Sequence, residues 1–420
     1  METNNQQLVP EIDYVYLEEQ GPSIKLKNKL TDDEIKICKD EFSSYLTLSY
    51  SKDGEHCVKA THYAGILVLS NHVIKIKPKI NNANFFGMLK YALKLPNIDP
   101  KKQYLATEKY DFWEILVEIF LGHLNIIFQR NLYSDYIETE DNLNFIRGKI
   151  DFTQHILQNF NRPDKIYCRF TEFTRNVLEN RLIKTTLYKL IFGSQYNIFP
   201  PEMKERLNDF YRKFNFADVI SANLLQSFNL ITYTQLNYRY EPILKICEFL
   251  LREQALDLEK TGSKLGFQLM VNMDTLFEQF IGNMLERKNF DILYHQHKQW
   301  PKIEKRTHVP DFIVRKNRKD VLILDTKYYA EDQKKKKDDV ILAGRHVPIA
   351  NIAQMVFYSN STGIKKLSLL YPGKREQDKI EIKNDIELNI FHIDLKGETR
   401  EDFEDNCEKL KNQLLKCVTE

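Results

Sequence analysis

The sequence predicts a multidomain α+β and α/β protein, with a β-rich N-terminal domain, a helical middle region and a C-terminal α/β core. Its 420 residues exceed a single average domain. The hydrophobic pattern alternates in the first hundred residues, changes to a helical period near residue 111, and mixes strand-like and helix-like segments in the last third. These changes place the domains at 1–105, 106–265 and 266–420.

Composition limits the classes of protein to which the chain can belong. Hydrophobic residues make up 42% and aromatic residues 12%, which is enough for buried cores and argues against disorder. The 61 basic and 59 acidic side chains leave a net charge of only +2, whereas a DNA-coating protein is far more basic. Any contact with nucleic acid must therefore use a local basic surface or a partner.

The cysteines and the N-terminus indicate a cytoplasmic protein. Six cysteines occur without a CxxC pair, which argues against a zinc ribbon or a disulfide scaffold. The N-terminal sequence lacks the basic-then-apolar pattern of a signal peptide. The uncharged stretch at 219–238 is too polar to span a membrane. We therefore expect a soluble protein with reduced thiols.

The N-terminal domain contains two alternating segments, 45–50 and 73–80, which predict strands. The second segment has an apolar face, and Pro78 either ends it or places it at a sheet edge. Its opposite face carries Lys75, Lys77 and Lys79. These lysines either contact DNA or a protein partner, or form the solvent face of an edge strand, where lysine discourages aggregation.

Apolar residues then recur at helical spacing in the middle region. A stripe at 112–127 and further runs at 177–191 and 243–250 predict helices, and Pro200-Pro201 interrupts them. A mainly helical domain is expected for 106–265.

The last third begins with an amphipathic helix at 273–285, for which Asn272 or Asp274 is a suitable N-cap. Strands are predicted at 292–294, 311–315 and 321–329, followed by a helix at 349–358 and a buried strand at 367–371. This order of helices and strands indicates an α/β core.

Two carboxylates and an ammonium group are expected to converge in this core. If 316–320 form a hairpin loop, Arg315 pairs with Val321 and Asp311 lies opposite Asp325 on one sheet face. Lys327, two residues later, shares that face. Carboxylates are ligands for Mg²⁺, which activates water for phosphodiester hydrolysis, and a lysine can stabilise the developing charge. The alternative is a surface hairpin with charged ends.

The order of these residues is the Asp…Asp-x-Lys pattern of the PD-(D/E)xK nuclease superfamily, which implies a restriction-endonuclease-like core. Glu278, on the preceding helix, resembles the acidic residue that this superfamily often places there. Gln354 and Tyr358 are spaced i, i+4 on the next helix and resemble the Gln-x-x-x-Tyr feature of its RecB-like branch. The alternatives are a solvated acid at the helix edge or a structural ion pair for Glu278, and a purely structural role for the other two.

Other polar clusters carry less weight. The lysines at 334–337 can reach phosphates, although a solvated loop is the simpler interpretation. His295 and His297 could imitate a metal pair, but two histidines alone make a poor zinc site.

Across residues 60–375 the chain resembles McrC, the nuclease subunit of McrBC-type modification-dependent restriction systems. The matching segments are YAGI at 63–66, IKPKI at 76–80, FIRGKI at 145–150, EFT at 172–174, ENR at 179–181, LDTKY at 324–328 and LYP at 370–372. We assign no chemistry to Arg147-Gly148 or Asn180-Arg181 and expect structural roles for them.

The resemblance implies an Mg²⁺-dependent endonuclease that cuts modified, methylcytosine-type duplex DNA and stimulates a hexameric McrB-like AAA+ GTPase through its N-terminal region. Consistent with a separate motor, the chain has no GxxxxGK[ST] phosphate loop. Three alternatives stay open: a non-catalytic regulator of an AAA+ motor, a stand-alone restriction enzyme, and an enzyme that cleaves RNA.

Overall fold

A computed structural model describes residues 12–95, 112–193, 199–253, 267–286, 291–294, 302–303, 306–307, 309–328, 339–342, 345–374, 378–382, 385–395 and 399–419. The chain divides into two compact units, one formed by Met1–Phe112 together with Met270–Glu420 and the other by Trp113–Leu269. The first and last predicted domains therefore lie in one unit. Among the helices of the described ranges, none has the length and apolar character needed to cross a membrane.

The N-terminal part of the first unit contains two small sheets and two helices. Its elements are β1 (Asp13–Glu18), β2 (Ile24–Lys25), α1 (Asp32–Asp40), β3 (Leu46–Tyr50), β4 (His56–Ala60), β5 (Tyr63–Val68), β6 (His72–Lys77) and α2 (Asn82–Ala92). The two predicted strands are confirmed as β3 and β6. Strand β6 ends before Pro78, but it is not an edge strand, because β1 pairs with it on one side and β5 on the other.

The C-terminal part of the same unit forms an α/β core. It comprises α9 (Met273–Glu286), β11 (Asp291–Tyr294), β12 (Lys302–Ile303), β13 (Arg306–Thr307), β14 (Phe312–Lys316), β15 (Lys319–Thr326), β16 (Asp339–Leu342), β17 (Arg345–Pro348), α10 (Ile349–Thr362), β18 (Lys366–Pro372), β19 (Asp378–Ile382), β20 (Ile386–Ile393) and α11 (Arg400–Thr419). The strand before α9, β10 (Phe267–Asn272), belongs instead to the N-terminal sheet, whose order is β1-β6-β5-β10. The order of the main sheet is β11-β14-β15-β18-β20-β19. Asn272 caps α9 by accepting from the Thr275 amide, as predicted.

The hairpin of β14 and β15 differs from the prediction at its tip. The turn has two residues, Asn317 and Arg318, both with positive φ, as type I′ turns require. The predicted pairing of Arg315 with Val321 is wrong, because Arg315 pairs with Asp320. Val321 is a bulge without a partner, so Val314 faces Leu322 and the expected register is restored toward the site.

The second unit is less helical than predicted. Its helices are α3 (Phe112–Gln129), α4 (Phe152–Asn159), α5 (Leu178–Phe192), α6 (Pro201–Lys213), α7 (Leu224–Ser227) and α8 (Glu241–Glu253), and its sheet has the order β7-β9-β8 with β7 (Asp135–Leu143), β8 (Lys149–Ile150) and β9 (Ile166–Thr174). Strand β7 has no buried residue and gives no clear alternating signal, whereas β9 alternates around the buried Cys168 and Phe170, a short pattern that the prediction did not use.

Two residues of the McrC-like segments have structural roles in this unit. Gly148 has φ of +68°, and a Cβ there would lie 2.5 Å from the Arg169 carbonyl oxygen, so only glycine fits. The buried Asn180 amide donates to the carbonyl oxygens of Tyr133 and Arg175.

Candidate active site

Asp325 lies near the end of β15, an inner strand of the main sheet, between β14 and β18. The four residues Leu322–Asp325 are all buried, and Asp325 is only 1% exposed. An aspartate at such a position costs folding free energy unless another group compensates its charge. The position therefore points to a function rather than to packing.

Lys327 supplies part of that compensation. Its backbone N–H donates to the Leu370 carbonyl oxygen on β18, which fixes the chain just beyond β15. Its Nζ lies 2.6 Å from Oδ2 of Asp325, and the lysine side chain is 21% exposed. The ammonium group thus reaches from the solvent side to a buried carboxylate, as the predicted shared face requires.

Asp311 comes directly before β14 and faces the end of β15. Its Oδ2 accepts hydrogen bonds from the backbone N–H and the hydroxyl of Thr326, both at 2.6 Å. The negative charge of Asp311 also acts on the carboxyl group of Asp325, so Asp311 lies close to Asp325, which Lys327 contacts. The structure therefore brings the three predicted residues together.

The electrostatics of the pair favour a cation. Burial, together with the neighbouring charge of Asp311, raises the pKa of Asp325 to about 7, and Lys327 only partly offsets this. Within the described part of the chain, Oδ1 of Asp325 has no hydrogen-bond partner. A buried oxygen without a donor, next to a second carboxylate, is a donor set that suits Mg²⁺. Asp311 and Asp325 are the residues that fit such an ion.

Glu278 does not complete a three-acid site with this pair. It is half-buried on α9, and the described residues contain no group of three acidic, histidine or cysteine side chains placed to hold a metal. Its role in the site stays a prediction.

Gln354 and Tyr358 meet each other on α10 and support the approach to Asp311. The Gln354 amide donates to the Tyr358 hydroxyl at 2.7 Å, and that hydroxyl donates to the Val309 carbonyl oxygen at 3.0 Å. Val309 is two residues before Asp311, and Tyr358 is fully buried. Gln354 and Tyr358 therefore hold in place the segment that leads to Asp311.

The three predicted lysines have different surroundings. Lys75 lies over the rings of Tyr14 and Tyr16, with Nζ 5.4 Å and 5.6 Å from their centroids. Lys77 is exposed. Lys79 donates through Nζ to Gln20 at 3.1 Å. Their contact with DNA or a partner stays a prediction, and so do the roles of 334–337, His295 and His297, which lie outside the described residues.

Sequence reasoning missed a buried acid next to this region. Glu19 is 0% exposed, and burial raises its pKa to about 8 despite the nearby Lys79. The Tyr328 hydroxyl donates to its Oε2 at 3.4 Å. Glu19 continues the face of Val15 and Leu17. The opposite face carries the apolar rings of Tyr14 and Tyr16, so alternation alone does not show which face is buried, and the contact with Tyr328 joins residues 309 positions apart.

The chain is similar to two solved structures. The chain matches the structure of McrC bound to Thermococcus gammatolerans McrB AAA+ hexamers with a TM-score of 0.62 and 18% identity, over 96% of this chain and 100% of that one. A second structure, of the McrBC complex of the same organism, matches with a TM-score of 0.44 and 20% identity, over 65% of this chain and 87% of that one.

The first of these matches shows a shared fold. A search of curated proteins finds no relative of the chain. A family model described as "McrBC 5-methylcytosine restriction system component" matches residues 58–372, which is more than half of the chain. The chain therefore belongs to the family of McrBC 5-methylcytosine restriction system components.

Proposed function

We propose that this chain is the Mg²⁺-dependent endonuclease subunit of a GTP-driven, modification-dependent restriction complex, and that it cuts duplex DNA. The observation that carries the proposal is the buried Asp325 beside Asp311 and Lys327. Two carboxylates and an ammonium group at one end of a sheet match what phosphodiester hydrolysis requires. A sheet with a purely structural role would not be stabilised by this arrangement, because burying a carboxylate costs folding free energy.

The proposed chemistry assigns a separate task to each side chain. Asp311 and Asp325 would hold Mg²⁺, which when bound supplies a water of lowered pKa and offsets charge on the phosphate. Thr326 fixes the orientation of Asp311 through its backbone N–H and hydroxyl. Lys327, partly exposed, is placed to meet a phosphate oxygen and stabilise its negative charge.

The partner follows from the fold that the chain shares with a McrC bound to McrB AAA+ hexamers. We extend this assembly to the present chain, whose sequence lacks a phosphate loop. GTP hydrolysis and translocation then belong to the hexamer, and cleavage belongs to this chain.

The proposal is tested by purifying the chain with its McrB-like AAA+ partner and measuring cleavage of methylated duplex DNA with GTP and Mg²⁺. We expect Asp325→Ala and Lys327→Ala to reduce cleavage by at least about 100-fold, because each removes charge stabilisation in the transition state. Stimulation of GTP hydrolysis serves as the control for assembly and should persist in both variants.

Two outcomes would replace the proposal with an alternative. Undiminished protection of cells by the Asp325→Ala protein would indicate a non-catalytic regulator of the motor. Full cleavage by the chain alone, without GTP or partner, would indicate a stand-alone restriction enzyme. An RNA duplex included as a second substrate tests whether the centre selects the sugar.

A further inference from the structure

Glu19 is a buried acid that the proposed chemistry does not use. It follows β1 and is completely buried, although its Oε1 has no hydrogen-bond partner within the described residues. Its Oε2 accepts from the backbone N–H of Lys79 and from the hydroxyl of Tyr328, each at 3.4 Å. Burying a carboxyl group with two long hydrogen bonds is unfavourable for stability, so packing alone does not account for it.

Tyr328 connects this acid to the nuclease centre. It directly follows Lys327 and is 4% exposed, with its ring 5.6 Å from that of Phe277 on α9. The chain at Lys327 is thus fixed on one side by its own N–H bond to Leu370 and on the other by the buried Tyr328. Because Tyr328 is bonded to Lys327, its contacts restrain the backbone from which the lysine ammonium group reaches Asp325.

We propose that Glu19 is a positioning residue of the nuclease centre, which holds the Tyr328 hydroxyl and thereby directs Lys327 toward Asp325. The inference rests on the proposed nuclease function and deepens it. In this arrangement the sheet that contains β1 and β6 builds part of the centre, although all the residues named in the Asp…Asp-x-Lys pattern come from the last third of the chain.

A double-mutant cycle tests the inference in the complete complex with its GTPase. Glu19→Met keeps the length of the side chain but removes the acceptor oxygen, and Tyr328→Phe removes one hydroxyl while retaining the ring contact with Phe277. We expect each variant to reduce the single-turnover cleavage rate by roughly 10- to 100-fold without changing the DNA concentration for half-maximal rate. The double variant should be no slower than the slower single variant, because both remove the same contact.

Glu34→Gln is the matched control. Glu34, on α1, is also a fully buried acid of the N-terminal part, but it contacts His72 and the backbone of Asn71 rather than Tyr328. We expect its cleavage rate to stay within about two-fold of wild type at a temperature where the complex is folded. If the Glu19 variant does not fold, Tyr328→Phe compared with this control decides the question.

The outcomes separate the inference from the proposed function. Full-rate cleavage by Tyr328→Phe or Glu19→Met, in an assay where Asp325→Ala is inactive, overturns the inference alone. Multiplicative losses in the double variant, or an equal loss in Glu34→Gln, also overturn it, since they indicate general destabilisation. If Asp325→Ala cleaves as well as wild type, the proposed nuclease function fails instead.

Discussion

At the level of single residues, the buried carboxyl group of Asp325 lowers the stability of the fold but is required by the proposed chemistry. Burial and the charge of Asp311 disfavour its ionised form, and this raises its pKa to about 7. An acid whose folded pKa lies above its unfolded value destabilises the fold once the pH exceeds the unfolded pKa, and the cost is complete above the folded one. Near neutral pH the protein without metal therefore bears most of this cost, which a bound cation would offset.

Replacing Asp325 with asparagine should therefore change stability in two opposite ways. With EDTA present, we expect Asp325→Asn to raise the free energy of unfolding by about 1 kcal/mol, since it removes a buried charge. With Mg²⁺, wild type should gain stability by mass action and the variant should not. Thermal unfolding in EDTA and in Mg²⁺ measures both effects. A variant that retains the Mg²⁺-dependent rise in Tm would contradict the assignment of Asp325 as a metal ligand.

Tyr358→Phe should weaken the support of Asp311. Loss of the hydroxyl leaves the Val309 carbonyl oxygen and the Gln354 amide without this partner, which costs about 1–2 kcal/mol of stability. We expect cleavage to fall roughly 10-fold, because Asp311 is then held less firmly. Urea unfolding and single-turnover cleavage measure the two effects. Gln354→Ala is the control. A greater loss of stability and cleavage in this variant than in Tyr358→Phe would contradict the view that the Tyr358 hydroxyl is the main support of Asp311.

At this scale the sequence identifies residues whose chemistry is local and misses those that act through distant contacts. Asp311, Asp325 and Lys327 lie within 17 positions, so a single hairpin brings them near one another, and strand alternation puts Asp325 and Lys327 on one face. Glu19 reaches Tyr328 across 309 positions. No periodicity in a single sequence encodes that pairing.

The β14–β15 hairpin shows why a wrongly predicted loop still led to the correct register between the two strands. A two-residue turn would by itself place Asp311 one position out of register with Asp325. The bulge at Val321 adds the missing residue, and the pairs from Val314–Leu322 onward match the expected register. The sequence contains no clear signal for this bulge, because β-branched residues are equally suited to a regular ladder.

Deleting Val321 should consequently be tolerated. The ladder becomes regular, Arg315–Asp320 and Val314–Leu322 become neighbouring pairs, and Asp325 stays opposite the start of β14. We expect a loss of stability below about 2 kcal/mol and measurable cleavage. Deleting Ile313 from the other strand is the control, since it moves Asp311 out of register and should abolish cleavage. Similar activities of the two deletions would contradict this account of the register.

The contact between α1 and β6 should make the free energy of unfolding depend on pH. Glu34 of α1 accepts from Nδ1 of His72 on β6 at 3.1 Å and from the backbone of Thr31 and Asn71. Despite its burial, hydrogen bonding to His72 and these amides lowers the pKa of Glu34 to about 2, and the Glu34 carboxylate raises the pKa of His72. The pair links helix and sheet most strongly when both groups are charged.

The direction in which stability changes with pH follows from the pKa shift of each group. Glu34 stabilises the fold above its unfolded pKa near 4.5, and this contribution is lost as the pH falls toward 2. His72 stabilises it below its unfolded pKa of 6.5, and this is lost as the pH rises through the higher folded value. We expect Glu34→Gln to flatten both limbs of the urea-unfolding stability profile between pH 3 and 8. A profile parallel to that of wild type would contradict the pairing.

At the scale of the whole chain, the sequence shows where the hydrophobic pattern changes between strand-like and helical spacing, but not which segments pack together. The unit boundaries at 112/113 and 269/270 lie close to the predicted 105/106 and 265/266. The first and last segments nevertheless share one unit, through contacts such as the Asn84 amide with the Leu395 carbonyl oxygen and the Tyr91 hydroxyl with Glu404. These contacts span more than 300 positions, so local patterns cannot reveal them.

Fragments of the chain should therefore behave unequally. Residues 113–269 are continuous and form a unit of their own, so we expect them to unfold cooperatively when produced alone. Residues 270–420 contain the nuclease core but lack the surface of α2, against which α9 and α11 pack. Alone they would expose apolar residues such as Phe280 and Phe403, which are buried in the complete unit, and should aggregate.

Co-production of 1–112 with 270–420 should rescue the second fragment, since the two together contain the whole unit and the contact between Glu19 and Tyr328. Size-exclusion chromatography and circular dichroism, before and after mixing, measure the rescue. The matched control is co-production of 113–269 with 270–420, which should leave the C-terminal fragment aggregated. A monomeric, cooperatively folded 270–420 fragment that cleaves DNA without 1–112 would show that the nuclease core is independent of the N-terminal sheets.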